Sequence, residues 1–237
     1  MKTALITGAT SGIGRAMALA LHKAGYGVLA LGRSQDALAE LRAVAPGIST
    51  VAVDVTDRDA LAAALGAWQI DVLVNNAGVM PQPGSFDTMS LEDIDRTVLV
   101  NLQAVLWLTR AVVPQMRQRQ AGHIVFTGSS AAHAPGANFA VYAATKAAIA
   151  AFAAGLRGDV AASGIRVTEL VPGRVETALY TQILTDETRS AMYEGGQSLQ
   201  PEDVAEALVA VLGLPARADI TRLDIMPTRP VPPIKLK

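Results

Sequence analysis

Short apolar runs without polar alternation recur along the chain, each followed by a turn and then by a stretch with helical spacing. Ala4-Leu5-Ile6 is the first run and ends at a glycine-rich turn. Ile13 to Ala24 then carries apolar residues at helical intervals, and Gly25 stops it. Val28 to Leu31 predicts a second strand, Asp36 to Val44 a helix closed by Pro46-Gly47, and Thr50 to Val53 a third strand ahead of a helix from Asp57. Val72-Leu73-Val74 predicts a fourth strand ending at Asn75. The helical region from Leu91 to Arg119 is expected to break near Asn101. His123 to Phe126, Arg166 to Val171 and Thr221 to Ile225 read as the remaining strands. An alanine-rich helix from Val141 to Ala162 and a last helix from Pro201 separate them. Unbroken apolar runs mark strands buried on both faces. Their alternation with helices predicts an α/β fold: a doubly wound, parallel, seven-stranded sheet with helices on both faces.

Composition narrows this picture. The 237 residues suit one domain, 1–237, and 51% hydrophobic against 17% charged residues supply a sizeable core. A net charge of −1 offers no electrostatic ground for nucleic-acid binding. Without cysteine there is no thiol nucleophile and no disulfide, which fits a reducing compartment. No apolar stretch reaches membrane-spanning length without glycine, proline or charge. A cytoplasmic protein without a membrane partner is the expectation. His22, His123 and His133 lack metal-ligand spacing, so no metal site is expected.

The turn after the first strand reads Thr7-Gly8-Ala9-Thr10-Ser11-Gly12-Ile13-Gly14. A parallel sheet places a dinucleotide pyrophosphate there, on free N–H groups at the helix N-terminus. Glycines let the backbone approach the phosphates without a Cβ clash. At the end of the second strand a carboxylate would bind the 2′-hydroxyl of NAD. This chain has Gly32-Arg33-Ser34 instead. The small glycine is expected to leave room for a 2′-phosphate and Arg33 to grip it, so the cofactor expected is NADP(H).

Tyr142 and Lys146 stand four residues apart in the alanine-rich helix and share a face. A lysine cation near a phenol lowers its pKa toward neutrality, which equips the phenol for proton transfer. Ser129 lies at the carboxyl end of the fifth strand, where parallel sheets line their ligand crevice.

Taken together these motifs resemble the short-chain dehydrogenase/reductase family in its short single-domain, Rossmann-type form. Gly8, Thr10, Ser11, Gly12, Ile13 and Gly14 are similar to its cofactor motif, and Asn75-Asn76-Ala77-Gly78 to its fourth-strand motif. Asn101, Ser129, Tyr142 and Lys146 match its catalytic tetrad. Pro172-Gly173-Arg174-Val175-Glu176-Thr177 resembles its nicotinamide segment, and Asp54-Val55 the pair that holds the adenine. The resemblance implies that Tyr142 is the general acid/base and that Lys146 tunes it and holds the nicotinamide ribose. It implies that Ser129 polarises the substrate carbonyl and that Asn101 supports a water chain. It also implies a homo-oligomer, a tetramer or a dimer, built on the long helices after the fourth and fifth strands.

Residues 176–200 correspond to the family's variable substrate lid. Leu179, Tyr180 and Ile183 there, with Met80 after the fourth strand, favour a largely apolar ketone or secondary alcohol as the small-molecule substrate. His133 and Arg174 are further candidates, Arg174 either in a structural ion pair or on a substrate carboxylate. The stretch Leu223 to Thr228 resembles reductases of small hydroxy acids, so a 3-hydroxy acid dehydrogenase stays open. So does a non-catalytic dinucleotide sensor on the same fold, which would have no need of Tyr142 and Lys146. An epimerase or dehydratase needs an added substrate domain for which the length leaves little room. The proline-rich tail 227–237 is expected to lie across a surface or a subunit contact.

Overall fold

The computed structural model describes residues 1–66, 68–181, 183–193 and 198–229. Seven strands form one parallel sheet: β1 (Thr3–Thr7), β2 (Gly27–Gly32), β3 (Ser49–Ala52), β4 (Val72–Asn75), β5 (Gly122–Thr127), β6 (Ile165–Pro172) and β7 (Arg222–Ile225). Their order is β3-β2-β1-β4-β5-β6-β7. Winding therefore reverses between β1 and β4, where Ile6 pairs with Val74, and a crevice opens at the carboxyl ends of these strands.

The helices are α1 (Gly12–Lys23), α2 (Gln35–Val44), α3 (Arg58–Leu65), α4 (Leu91–Val98), α5 (Ala104–Arg119), α6 (Ala140–Val160), α7 (Asp186–Tyr193) and α8 (Pro201–Leu212). Met17 and Leu21 of α1, Leu38 and Leu41 of α2, and Val204 and Leu208 of α8 cover one sheet face. Leu61 of α3, Leu108 and Val112 of α5, and Ile149 and Leu156 of α6 cover the other. Both faces of β1, β4 and β5 are thus buried, which is why these strands read as continuous apolar runs. Ser34, Asp57 and Ser90 start α2, α3 and α4 by accepting the N–H three residues on.

The break expected near Asn101 is a π-helical turn, Leu99–Gln103, that joins α4 to α5 without interrupting the helix. Leu91–Arg119 is consequently a 29-residue helix, long and apolar enough to cross a bilayer by length and composition. Here Val105, Leu108, Val112 and Met116 set its apolar side against the sheet.

After β6 the chain leaves the sheet and returns. Val175 bridges Leu199 in parallel, with Glu176 N–H donating to Leu199 O at 2.8 Å and Leu199 N–H to Arg174 O at 2.9 Å. Both ends of the expected lid are thereby tied together at its base. Of that lid, Gln182 and residues 194–197 lie outside the described residues, as does the tail beyond Arg229.

Candidate functional site

A cleft of about 630 Å³ runs along the carboxyl ends of the strands. Its floor near β1 is backbone. Gly8 and Gly12 have φ of +66° and +49°, a region that favours glycine. A Cβ on Gly14 would lie 2.2 Å from Gly8 O and 2.4 Å from Asn76 Nδ2, so α1 approaches the turn as closely as only glycine allows. The first turn of α1 carries no acidic residue, and its opening N–H groups have no partner within the helix. Thr10, Ser11 and Ile13 line the same end. This is a lining suited to a phosphate group.

Thr7 and Asn76 knit the sheet beneath. Thr7 Oγ1 accepts N–H groups of Asn76 and Ala77, both at 3.0 Å, and Asn76 Nδ2 donates to Thr7 O at 3.0 Å. Thr127 Oγ1 donates to Asn76 Oδ1 at 3.3 Å, joining β5 to this link. Asn76, Ala77 and Gly78 all face the cleft.

At the β2 end Gly32 lines the cleft, and a Cβ on it would also lie 2.3 Å from the Thr10 methyl. Arg33 remains on the rim, its side chain two-thirds exposed, 3.9 Å from Asp54 Oδ2. Burial works to raise the Asp54 pKa, but bonds from Thr56 N–H and Oγ1–H and the charges of Arg33 and Arg96 outweigh it and hold the carboxyl below its usual value. Val55 lines the cleft beside Asp54. Ser34 does not line it; its hydroxyl caps α2. Arg96, a second cation on this rim, had no distinguishing mark in the sequence beyond lying in a helix.

The centre of the cleft holds Ser129, Tyr142 and Lys146. The Ser129 hydroxyl accepts the Ala131 N–H at 3.1 Å and faces the Tyr142 phenol closely enough to act on its acidity. Lys146 Nζ donates to Thr127 O at 2.7 Å and stands 5.8 Å from the centre of the Tyr142 ring. Both side chains are buried, and burial governs their acidity. It pushes the Tyr142 phenol well above its usual range, joined by the nearby Tyr180 phenol and opposed by the Ser129 hydroxyl. It pushes the Lys146 ammonium down to about 8, opposed by the charge of Glu169. The lowering of Tyr142 by Lys146 expected from their spacing is not met: burial and the Tyr180 phenol set the phenol's acidity, and the one opposing influence comes from Ser129.

Asn101 stands behind this group instead of lining the cleft. Its amide clasps the backbone of Val79, with Val79 N–H donating to Oδ1 and Nδ2 donating to Val79 O, both at 2.8 Å. Nδ2 also reaches Thr145 Oγ1 at 3.3 Å. The π turn presents this amide to β4's exit loop and to α6 at once.

Pro172, Gly173, Arg174, Val175 and Thr177 close the far wall, with Leu179, Tyr180 and Ile183 from the lid and Met80 opposite. Arg174 reaches Met192 O at 3.5 Å. Tyr180 stacks edge-on against Tyr193 with ring centres 6.5 Å apart. His133 is not among the lining residues; its Nε2 lies 3.5 Å from Glu169 Oε1, and its Nδ1 3.3 Å from Arg222. Glu169 escaped the sequence reading, although an acid inside the apolar run Val167 to Val171 was a signal.

A family model described as short chain dehydrogenase matches residues 2–188. An uncharacterized short-chain type dehydrogenase/reductase of Sinorhizobium fredii, y4eK, is 47% identical over 228 residues, 96% of this chain and 92% of its own. The NADP-dependent 3-hydroxy acid dehydrogenase YdfG of Salmonella typhi is 35% identical over 232 residues, 94% of each chain. Among solved structures, the closed form of serine dehydrogenase complexed with NADP+ superposes with a TM-score of 0.93 at 34% identity over 99% of both chains. With a nucleotide-type cleft at the switch point of a parallel sheet and likeness along almost its full length, the chain belongs to the short-chain dehydrogenase/reductase family.

Proposed function

We propose that the chain is an NADP(H)-dependent oxidoreductase that interconverts a ketone and a secondary alcohol. The observation that carries this reading is the meeting of Ser129, Tyr142 and Lys146 in the middle of the cleft, between the glycine floor and the lid. The lining fits a dinucleotide: a backbone floor at α1 for the pyrophosphate, and Arg33 with Arg96 on the rim where a 2′-phosphate would reach. NADP-dependence of the relatives agrees with those two cations. The bound nicotinamide supplies or accepts the hydride at the carbonyl carbon.

The protein's own part is proton transfer and orientation. Ser129 and Tyr142 donate hydrogen bonds to the substrate oxygen and so polarise the carbonyl. With its pKa raised by burial, Tyr142 is protonated at neutral pH and ready to give its proton to that oxygen in reduction. Oxidation needs the phenolate and gains with rising pH. Lys146, anchored on Thr127 O, supplies positive charge beside the phenol, and that charge declines above about pH 8. Asn101 fixes the Val79 loop and α6 relative to one another.

A second reading narrows the substrate to a 3-hydroxy acid. Arg174 favours it, as a cation lining the lid end of the cleft among Met80, Leu179 and Ile183, and the hydroxy acid dehydrogenases among the relatives agree. We also propose a homotetramer that packs through the outer faces of α5 and α6.

The test follows NADPH absorbance over ketones and 3-oxo acids, and NADP+ reduction with the matching alcohols and 3-hydroxy acids. Turnover with Tyr142→Phe should fall about a thousandfold while NADPH affinity is kept. Near-full activity in that variant would overturn the mechanism. No NADPH turnover across the panel would favour the sensor. Preference for the acids, lost in Arg174→Met, would settle the second reading in its favour.

A further inference from the structure

The turn that carries Ser129 is held at both ends by one buried side chain. Ser129 Oγ accepts the Ala131 N–H at 3.1 Å, Ala132 N–H donates to Ser129 O at 3.0 Å, and His133 and Ala134 N–H donate to Ser130 O at 3.1 and 2.9 Å. These bonds make Ser129 to His133 a single 3-10 turn that moves as a unit. Before it stands Gly128, where a Cβ would lie 2.4 Å from Glu169 Oε1 and 3.0 Å from Glu169 Cγ. The Glu169 side chain therefore lies flat against the entry of the turn. At the exit, His133 Nε2 stands 3.5 Å from the same Oε1. That oxygen is sealed from solvent and takes no close hydrogen bond, so a polar N–H facing it offsets part of its burial cost. The other ring nitrogen, His133 Nδ1, lies 3.3 Å from Arg222 of β7, which Asp224 holds in turn. A guanidinium can only donate, so Nδ1 accepts, and the proton of the neutral ring sits on Nε2, toward Glu169.

We propose that Glu169 and His133 are positioning residues for the reaction: the carboxylate seats Gly128 at one end of the Ser129 turn and holds the His133 ring at the other, and so fixes where the Ser129 hydroxyl meets the substrate oxygen. The proposal rests on the reading of Ser129 as the group that polarises the carbonyl. A turn that leaves the end of a strand can swing, and a displacement of about 1 Å at a reacting group can cost about a hundredfold in rate. Packing on Gly128 alone fixes the entry and leaves the exit free. The His133 contact closes the exit onto the same buried atom, and Arg222 presents the ring in the tautomer that this needs. His133 thus serves the site from behind the cleft wall, and the acid inside the apolar run of β6 has a use that packing alone would not give it.

The experiment compares His133→Leu, which removes the N–H, with His133→Gln, whose amide can place an N–H where the ring's Nε2 stood. In the Leu variant kcat should fall about tenfold with NADPH affinity unchanged, and the Gln variant should recover most of the loss. A Leu variant with full kcat overturns the proposal even if its Tm is lower, and so does a Gln variant as slow as Leu. Glu169→Leu should lower kcat about as much, and the double variant should be no slower than either single one. Losses that multiply would show two independent effects and overturn it. Should Glu169→Leu not fold, the His133 pair still decides. A second readout needs no turnover: NMR of the protein labelled with ¹⁵N at its three histidines, with His133→Gln identifying the ring of interest. The parent should carry its proton on Nε2 with Nδ1 bare, and the Nε2 proton should move upfield in Glu169→Gln. A proton on Nδ1 in the parent, or an unmoved Nε2 proton, overturns the pairing. A parent that turns over no substrate refutes the redox reading, whereas the histidine spectrum bears on this one alone.

Discussion

Individual side chains decide which dinucleotide and which proton this cleft handles. Arg33 is the residue on which the 2′-phosphate reading turns, and its exposure matters: a guanidinium that rests loosely on Asp54 is available to a ligand. Arg33→Asp removes that fork and sets two carboxylates side by side. The expected outcome is an NADPH KM raised about tenfold or more, the worth of a charge-assisted hydrogen bond, with NADH gaining ground. Steady-state kinetics with both cofactors check it, and an unmoved NADPH KM would remove Arg33 from the site. The spacing of Tyr142 and Lys146 was legible because helical periodicity is local. What Gly32 and Glu169 touch was not, because their neighbours Thr10 and Gly128 come from other segments of the chain. Ser34 shows the same limit: a hydroxyl beside Arg33 reads equally as a ligand group or a helix cap, and the fold spends it on the cap.

At the scale of elements, the strands and helices follow from patterns that the sequence carries openly. The apolar runs of β1, β2, β5 and β6 end at or beside glycine or proline, and Ser or Asp opens α2, α3 and α4. The π turn was foreshadowed only as an irregularity, since one extra residue in a helix leaves no compositional mark. The β1–α1 turn is the element most sensitive to change. Gly14→Ala would drive a methyl into Gly8 O and the Asn76 amide, and the turn has to open. The expected cost is about 1–3 kcal/mol, a Tm lower by about 2–12 °C in a chain of this size. The rise in Tm that NADP+ produces in the parent should vanish as well. Scanning calorimetry with and without NADP+ reads both, and a retained ligand-induced rise would show that the close approach is not needed for binding.

The whole molecule adds what no segment contains: the order of strands, the switch point between β1 and β4, and the convergence of β4, β5, β6 and the lid on one cleft. Alternation of strand and helix foretold the parallel sheet, while pairings such as Ile6 with Val74 join residues far apart in sequence and became visible only in three dimensions. The outer face of α6 extends this to assembly. Ala144, Ala147, Ala151, Ala154, Gly155 and Gly158 are exposed along it, and a Cβ on Gly155 or Gly158 would meet nothing within 4 Å. Two such faces can approach closely and bury apolar area without moving a large side chain. Light scattering should therefore give four times the 24.6 kDa chain mass, and Ala151→Glu should break the assembly into smaller species. A parent that scatters as a monomer would refute the tetramer. Finally, the bridge between Val175 and Leu199 gives the stretch it closes an independence of its own. Entry and exit are pinned as neighbours, so what lies between can be lengthened or exchanged at a closure cost that grows only with the logarithm of its length. The sheet need not shift when that happens, and only Thr177 against Gly12 and Tyr180 beside Tyr142 have to be kept. New substrates can be acquired by replacing the rest of one cassette on an inherited sheet.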